Sequence, residues 1–387
     1  MTNKALGQYM TIAEELQQFV ATHIRNTGPL LEPSFGQGHL LKKILELQPN
    51  RPMLCCELDK TLKPVVAFNE YQTIVYGDFL KHDFGTRRFK TIVGNPPYVK
   101  QREGNLYLAF IEKCYNLLSE EDGELIFIVP SDFIRLTSAA KLITKMYGAG
   151  RFTDWFFPHN EHLFEGASID VVVFRFQKQT QSETANHTIV NGEPMFCNMR
   201  NGILTFCATP ATTGEPISDK FHVYVGMVSG KEEVYRVPFG NMQVRTDKDT
   251  IQNYIFTTSF PTESPEINAH LLAHKTALLE RKIRTFTEDN WFEWGAPRNL
   301  TAMTQAEGQP CIYVRNLTRK SEVAFRGTVQ TFGGALLCLI PKTAMSQGQT
   351  DLDKVVKYLN SDEWKKDYIF SGRFKIGHKQ LSNVLLP

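Results

Sequence analysis

Apolar positions in the first 180 residues alternate between two spacings. In "TIAEELQQFVATHI", Ile12, Leu16, Phe19, Val20 and Ile24 recur every three or four residues, which predicts an amphipathic helix with Thr11 as its N-cap. "GPLLEPSFGQGHLLKKILEL" predicts a short strand, a glycine turn and a second helix, and "PMLCCELDKTLKPVVAF" repeats strand then helix. "TIVYGDFL" and "KTIVGNPPY" end two more strands, "NLYLAFIEKCYNLL" is a helix, "GELIFIVPS" a strand and "KLITKMY" part of another helix. Two strands, "FTDWFF" and "SIDVVVFRFQ", follow without a helix between them. Alternating strands and helices call for a mostly parallel sheet covered on both faces, and the last pair predicts an antiparallel hairpin at one edge.

The rhythm fades near residue 178, where "QKQTQSETANH" is polar and turn-like. This predicts a domain over 1–178, a linker over 179–190 and a second domain over 191–387. The second half mixes strand-like runs such as "FHVYVGMVSG" and "GALLCLIP" with the helix "DLDKVVKYLNSDEWKKDYI", an α+β pattern whose topology the spacing does not specify.

Composition narrows the class. A chain of 387 residues with 42% hydrophobic and 22% charged positions is ordinary for a globular protein of two domains. No run of about 18 apolar residues is present, and "MTNKALGQYM" lacks a secretory pattern, so no membrane span and a cytoplasmic site are expected. The seven cysteines, including adjacent Cys55 and Cys56, lack metal-ligand spacing; reduced, structural thiols and no metal are expected. A net charge of +2 argues neither for nor against a polyanionic partner. The basic residues near the end, Lys365, Lys366, Arg373, Lys375 and Lys379, alternate with aromatics, a pattern that suits a phosphate backbone and equally a solvated face.

The chemistry gathers at strand ends. The first strand ends at Glu32, and Gly36 and Gly38 follow before a helix, a turn through which backbone can approach a carboxylate or phosphate closely. Glu57 ends the second strand about 20 residues after the glycines, where a carboxylate can accept from ribose hydroxyls. Asp78 follows the third strand, with Phe79 beside it, placed to accept from the exocyclic amine of a purine. Any one of these acids alone reads as a solvated loop carboxylate. Three at successive strand ends, on the edge where open α/β sheets bind ligands, point to a nucleoside.

"NPPY" ends the fourth strand. Pro96 and Pro97 fix two φ angles and remove two backbone donors; Asn95 offers a carbonyl acceptor and Tyr98 a flat face. Together they can hold both hydrogens of a planar –NH₂ group and cover its ring, and accepting those hydrogens turns the nitrogen lone pair toward an electrophile.

Taken in order, "GQYMT", "EPSFGQG", "ELD", "GDF" and "NPPY" resemble the motif set of S-adenosylmethionine-dependent amino methyltransferases, specifically the gamma-class, TaqI-like DNA adenine methyltransferases. The resemblance covers most of residues 5 to 177. It implies an α/β fold with a Rossmann-like methyltransferase domain, a mostly parallel seven-stranded sheet with an antiparallel edge hairpin, followed by an α+β target-recognition domain. It implies that Thr11 and the turn with Glu32, Pro33, Gly36 and Gly38 hold the methionine end of S-adenosylmethionine. Glu57, with Leu58 after it, would hold the ribose, and Asp78, Phe79 and Phe110 the adenine. Asn95, Pro96, Pro97 and Tyr98 would serve the target amine, and Phe164 would stack on the extruded base opposite Tyr98. Met10 and Ile12 depart from the family pattern, which has an aromatic and often a proline there. More faintly, "YVRNLTRK" and the C-terminal segment resemble the recognition domain, making Arg315, Asn316, Lys320, Arg373, Lys375 and His378 candidates for phosphate or base contacts.

The implied activity is methylation of the N6 amine of an adenine flipped from double-stranded DNA. A monomer is expected, and a cognate restriction endonuclease acting separately is compatible with it. Two alternatives stay open: the same chemistry on a protein glutamine, an RNA amine or a cytosine amine, and a DNA-binding module without catalysis.

Overall fold

Five strands near the N-terminus, β1 (Leu30–Glu32), β2 (Met53–Glu57), β3 (Gln72–Tyr76), β4 (Thr91–Gly94) and β5 (Glu124–Pro130), run parallel in the order 3-2-1-4-5. The register sets Leu31 beside Leu54 and Glu32 beside Cys55, so β1 ends two residues short of β2, which ends level with β3 at Glu57 and Tyr76. In the computed structural model, which describes residues 9–101, 104–158, 163–164, 169–179, 186–200, 202–208, 214–342, 349–370 and 373–387, two compact units separate as Met1–Thr212 and Thr213–Pro387.

Strands β1, β2 and β4 are buried along their whole length, as a sheet covered on both faces requires. On β5, alternate residues serve two cores. Ile126 and Ile128 join Leu16 and Val20 of α1 (Glu14–His23) and Leu41 and Ile44 of α2 (Leu41–Leu47). Phe127 points the other way onto Phe174, which Phe133 and Phe152 also contact. Helices α3 (Leu106–Leu117) and α4 (Ala140–Gly148) complete the unit. All seven cysteines are free thiols and six are buried.

Several sequence expectations change. Thr11 is not the cap of α1: that helix starts at Glu14 without a side-chain cap, and the Thr11 hydroxyl instead accepts from Asn95. The helix expected after β2 does not form, because residues 58–71 carry Pro64 and connect two adjacent parallel strands through turns. Strands β6 (Gly150–Phe156) and β7 (Val171–Lys178) form the expected antiparallel pair, but it is not an edge. β7 inserts next to β5, and β6 pairs in parallel with β8 (His187–Val190), which continues through β9 (Glu193–Arg200) and β10 (Ile203–Cys207). The seven strands therefore sit within a ten-stranded sheet of order 10-9-8-6-7-5-4-1-2-3. This sheet runs past residue 178, so the first unit extends well beyond the expected 179–190 linker.

The second unit is α+β. Its main sheet orders β11 (Phe221–Val225), β14 (Leu336–Pro341), β12 (Pro310–Arg315) and β13 (Ala324–Thr328), all antiparallel. Helix α6 (Gln349–Asn360) packs on it through Leu352 and Leu359, while α5 (Pro265–Ala273), capped by the Ser264 hydroxyl, serves a separate core around Trp294. Among the described residues, no helix is long and apolar enough to cross a membrane.

A buried ionic cluster lies where β4 and β5 begin. The Glu124 carboxylate accepts from Arg175 Nη2 at 2.6 Å and Nε at 3.1 Å, from Thr91 Oγ1 at 2.8 Å and from the Asn26 amide at 2.9 Å. Arg51 donates to the same Thr91 hydroxyl at 2.7 Å. Both partners of the central pair are essentially inaccessible, so removing one leaves an uncompensated charge in the core. Glu124→Ala is expected to lower unfolding free energy in a denaturant titration by about 3–5 kcal/mol, and replacing Arg175 by Met in the same chain should restore much of it.

Candidate active site

The C-terminal ends of the parallel strands open onto one cavity of about 500 Å³. Thr11, Glu32, Pro33, Gly36, Glu57, Leu58, Asp78, Phe79, Phe110, Asn95 and Pro97 all line it, so four adjacent strand ends deliver the expected residues to a single space. Gly38, Pro96, Tyr98 and Phe164 do not line it.

The glycine turn has a steric cause. Gly36 and Gly38 have φ of +59° and +82°, and a Cβ on Gly38 would lie 2.5 Å from the Phe35 ring. A Cβ on Gly36 would meet the Met10 sulfur at 3.3 Å, so Met10, which departs from the family pattern, lies over this turn. The turn is tied to the second strand by Glu57, whose carboxylate accepts from the Gly36 amide at 2.6 Å and from the Asp59 amide at 2.8 Å. Helix α2 starts only at Leu41, because a turn with Gly38 N donating to Phe35 O intervenes.

Glu32 is almost inaccessible, and among the described residues its carboxyl accepts from the Ser34 amide at 2.8 Å and the Ser34 hydroxyl at 3.2 Å. Burial, reinforced by the nearby Glu57, raises its pKa from 4.5 to about 8 despite those bonds. A cationic group entering the cavity is the natural partner for such a carboxyl.

At the other end, Asp78 accepts from the Leu80 amide at 2.9 Å and faces Lys81 at 3.6 Å. Phe79 stacks on Phe110 at 5.1 Å, and both rings are buried. Leu58 is a largely exposed apolar side chain on the cavity rim.

Asn95 is held from two sides. Its Nδ2 donates to the Tyr9 carbonyl at 2.8 Å and to Thr11 Oγ1 at 3.1 Å, while its Oδ1 accepts from the Tyr98 hydroxyl at 2.5 Å. The Tyr98 hydroxyl also reaches the Ile128 carbonyl at 3.1 Å, and burial holds its pKa well above the ordinary phenol value. The Asn95 backbone carbonyl accepts from Ser34 Oγ at 3.2 Å, linking the first and fourth strand ends. Tyr98 stacks on Tyr9 at 5.4 Å and meets Phe164 edge-on at 6.3 Å; Tyr9 and Phe164 are 5.7 Å apart. Sequence reasoning placed Phe164 opposite Tyr98 and missed Tyr9, which lies inside the quoted "GQYMT" and fills the aromatic group between them.

In the second unit, the basic candidates separate. Arg315 is buried, with Nε bonded to Asp247 at 2.7 Å and its guanidinium over Phe325, so it is a core anchor. Lys320 bonds the same Asp247 at 2.6 Å but is largely exposed. Asn316 donates to the Gly334 carbonyl, and an exposed His378 places Nε2 2.9 Å from the Val223 carbonyl. Arg373 and Lys375 flank buried Phe374 on one strand, with Lys375 opposite the exposed Leu317.

The raised carboxyl has a signed consequence. The unfolded chain loses the Glu32 proton near pH 4.5 and the folded chain near 8, so folding is favoured below that window and progressively less through it. Glu32→Gln should raise the Tm relative to the unaltered chain, with the gap widening from pH 5 to about 8 and then levelling; a gap independent of pH would rule out this assignment.

Residues 57–156 match the model of the Eco57I restriction-modification methylase family. The modification methylase CviBIII of Paramecium bursaria Chlorella virus NC1A is 36% identical over 138 residues, covering 31% of this chain and 36% of that protein. The type II methyltransferase M.HincII of Haemophilus influenzae is 24% identical over 208 residues, covering 47% of this chain and 39% of its own length. The matches thus span well under half of these relatives. Among solved structures, the type IIL restriction-modification enzyme MmeI in complex with DNA superposes over 96% of this chain and 62% of its own, with a TM-score of 0.57 at 10% identity, a likeness of fold. The chain is similar, over the segment that carries its second to fourth strand ends, to the restriction-modification methylases of the Eco57I family.

Proposed function

We propose that this chain is a site-specific DNA methyltransferase of the gamma class that methylates the N6 amine of an adenine extruded from duplex DNA. The observation that carries the reading is the delivery of Glu32, Glu57, Asp78 and Asn95 to one cavity by four adjacent strand ends. The match to the Eco57I family and the modification methylases CviBIII and M.HincII support it.

The residues fit S-adenosylmethionine, which when bound supplies an electrophilic methyl group on sulfur. The buried Glu32 suits the ammonium of the methionine end, which would favour its ionised form, together with Thr11, Pro33 and the turn of Gly36 and Gly38. Glu57 keeps acceptor capacity beyond its two backbone bonds for ribose hydroxyls, with Leu58 beside it. Asp78 would accept from the adenine amine, with Phe79 and Phe110 against the ring.

Asn95 and the carbonyl of Pro96 would accept the two hydrogens of the target amine. Oδ1 has a second lone pair beside the one used by Tyr98, so it need not release that hydroxyl. Pro97 holds the next turn rigid, while Tyr98 and Phe164 supply the aromatic walls. Tyr9 now occupies a stacking face of Tyr98, and an entering base must share or displace it. Pinning both amine hydrogens frees the nitrogen lone pair for in-line displacement, so these residues act by positioning and electrostatics, without a covalent intermediate.

Recognition of double-stranded DNA would fall to the second unit. Within it, Lys320, Arg373, Lys375 and His378 are the candidates for phosphate or base contacts, while the buried Arg315 serves the core with Asp247 and Asn316 donates to Gly334. A separately acting endonuclease is compatible with this arrangement.

Methyl transfer to duplex DNA, RNA and protein, measured side by side with modified-base sequencing, tests the substrate class; N6-methyladenine at one motif is expected. Asn95→Ala should keep cofactor binding and lose turnover by roughly 10²–10³-fold, and unchanged turnover would sink the mechanism. Lys375→Ala should weaken DNA binding across sequences and reduce the slope of log affinity against log salt by about 1, whereas Arg315→Ala should act chiefly by lowering the Tm.

A further inference from the structure

Lys113, on α3, makes an arrangement that the proposed chemistry does not use. Its Nζ donates to three backbone carbonyls of one loop: Phe79 at 2.7 Å, Leu80 at 3.0 Å and His82 at 2.6 Å. An ammonium has three hydrogens, and here each meets an acceptor. The same nitrogen lies 5.0 Å from the centre of the Phe79 ring and 5.4 Å from that of Phe84.

That loop carries the adenine-end acceptor. Residues 77–90 contain neither helix nor strand, and Asp78 holds its turn by accepting from the Leu80 amide through its side chain and from the Lys81 and His82 amides through its carbonyl. Those bonds set the turn's internal shape and leave its attachment to the rest of the unit undetermined. Gly77 N donates to the Glu57 carbonyl at 2.8 Å where the loop begins, and beyond that point Phe110 and Lys113, one turn apart on α3, hold it: Phe110 stacks on Phe79 while Lys113 gathers the carbonyls that follow. Arginine is a poor substitute, because its planar fork does not match three carbonyls converging on one point.

We infer that Lys113 is a positioning residue that fixes the Asp78–Phe79 turn against α3 and thereby gives the site its preference for an adenine bearing an exocyclic amine. This rests on the reading of the cavity as a site for S-adenosylmethionine. Lys113 does not line the cavity and reaches the ligand only through the loop.

Calorimetric titration of the full chain with two ligands tests it: S-adenosylhomocysteine, and S-inosylhomocysteine, which has oxygen in place of the exocyclic amine. The unaltered chain should prefer the first by about ten-fold or more, since an unmatched carboxylate rejects the second. Lys113→Met should weaken S-adenosylhomocysteine about ten-fold while leaving S-inosylhomocysteine within about two-fold, so that the preference collapses. Lys113→Gln, which keeps two donors, should recover part of the preference, and it decides the matter if the Met variant does not fold. Equal weakening of both ligands, or an unchanged ratio in the folded variant, overturns the inference about Lys113. Failure of the unaltered chain to bind S-adenosylhomocysteine overturns the cofactor reading itself.

Discussion

The side-chain amide of Asn95 is the joint on which the site turns. Its nitrogen faces two oxygens, the Tyr9 carbonyl and the Thr11 hydroxyl, and this decides which way the amide points. Its oxygen therefore faces the Tyr98 hydroxyl, and through Tyr98 it is connected to the fifth strand at Ile128. One planar group thus locks together the N-terminal segment, the end of β4 and an aromatic cluster. The two prolines that follow make the lock stiff, because neither can rotate about φ or compete for the carbonyls. A rigid acceptor is what an amine of low nucleophilicity needs, since the gain comes from geometry established before the reactants meet.

The same cavity carries a stability cost. A carboxyl kept protonated near neutrality is a group whose burial exceeds what its hydrogen bonds compensate. Its neighbour Glu57, also buried, accepts from two backbone amides, those of Gly36 and Asp59.

Much of this is legible in the sequence. Ile126 and Ile128 alternate with Phe127 as a two-faced strand must, α3 follows its 3.6-residue period, and the acids mark strand ends because loop geometry places them there. Other features were hidden for identifiable reasons. Residues 58–71 have an apolar spacing that resembles a helix, yet Pro64 and the short span between adjacent strands favour turns. Strands β8–β10 follow a polar stretch that resembles a linker, and only pairing of β8 with β6, a contact distant in sequence, reveals that the sheet continues. Arg315 looked like a phosphate ligand because a cation's exposure cannot be read from local sequence; Asp247, 68 positions away, is what claims it. Tyr9 lay within a recognised motif, but its role as a neighbour of Tyr98 depends on the N-terminal segment crossing the end of β4.

The sheet also separates two kinds of electrostatics. Where β4 begins, Thr91 belongs to a compensated network of Glu124, Arg175 and Arg51; where it ends, Asn95 borders a cavity lined by three acidic side chains and by Lys81. Four residues of buried strand, roughly 13 Å, lie between them. The first set has its partners built in, and the second waits for a ligand to complete it. Sequence drift at one end can therefore proceed with little effect on the other, leaving a lineage free to retune its robustness without disturbing what it binds.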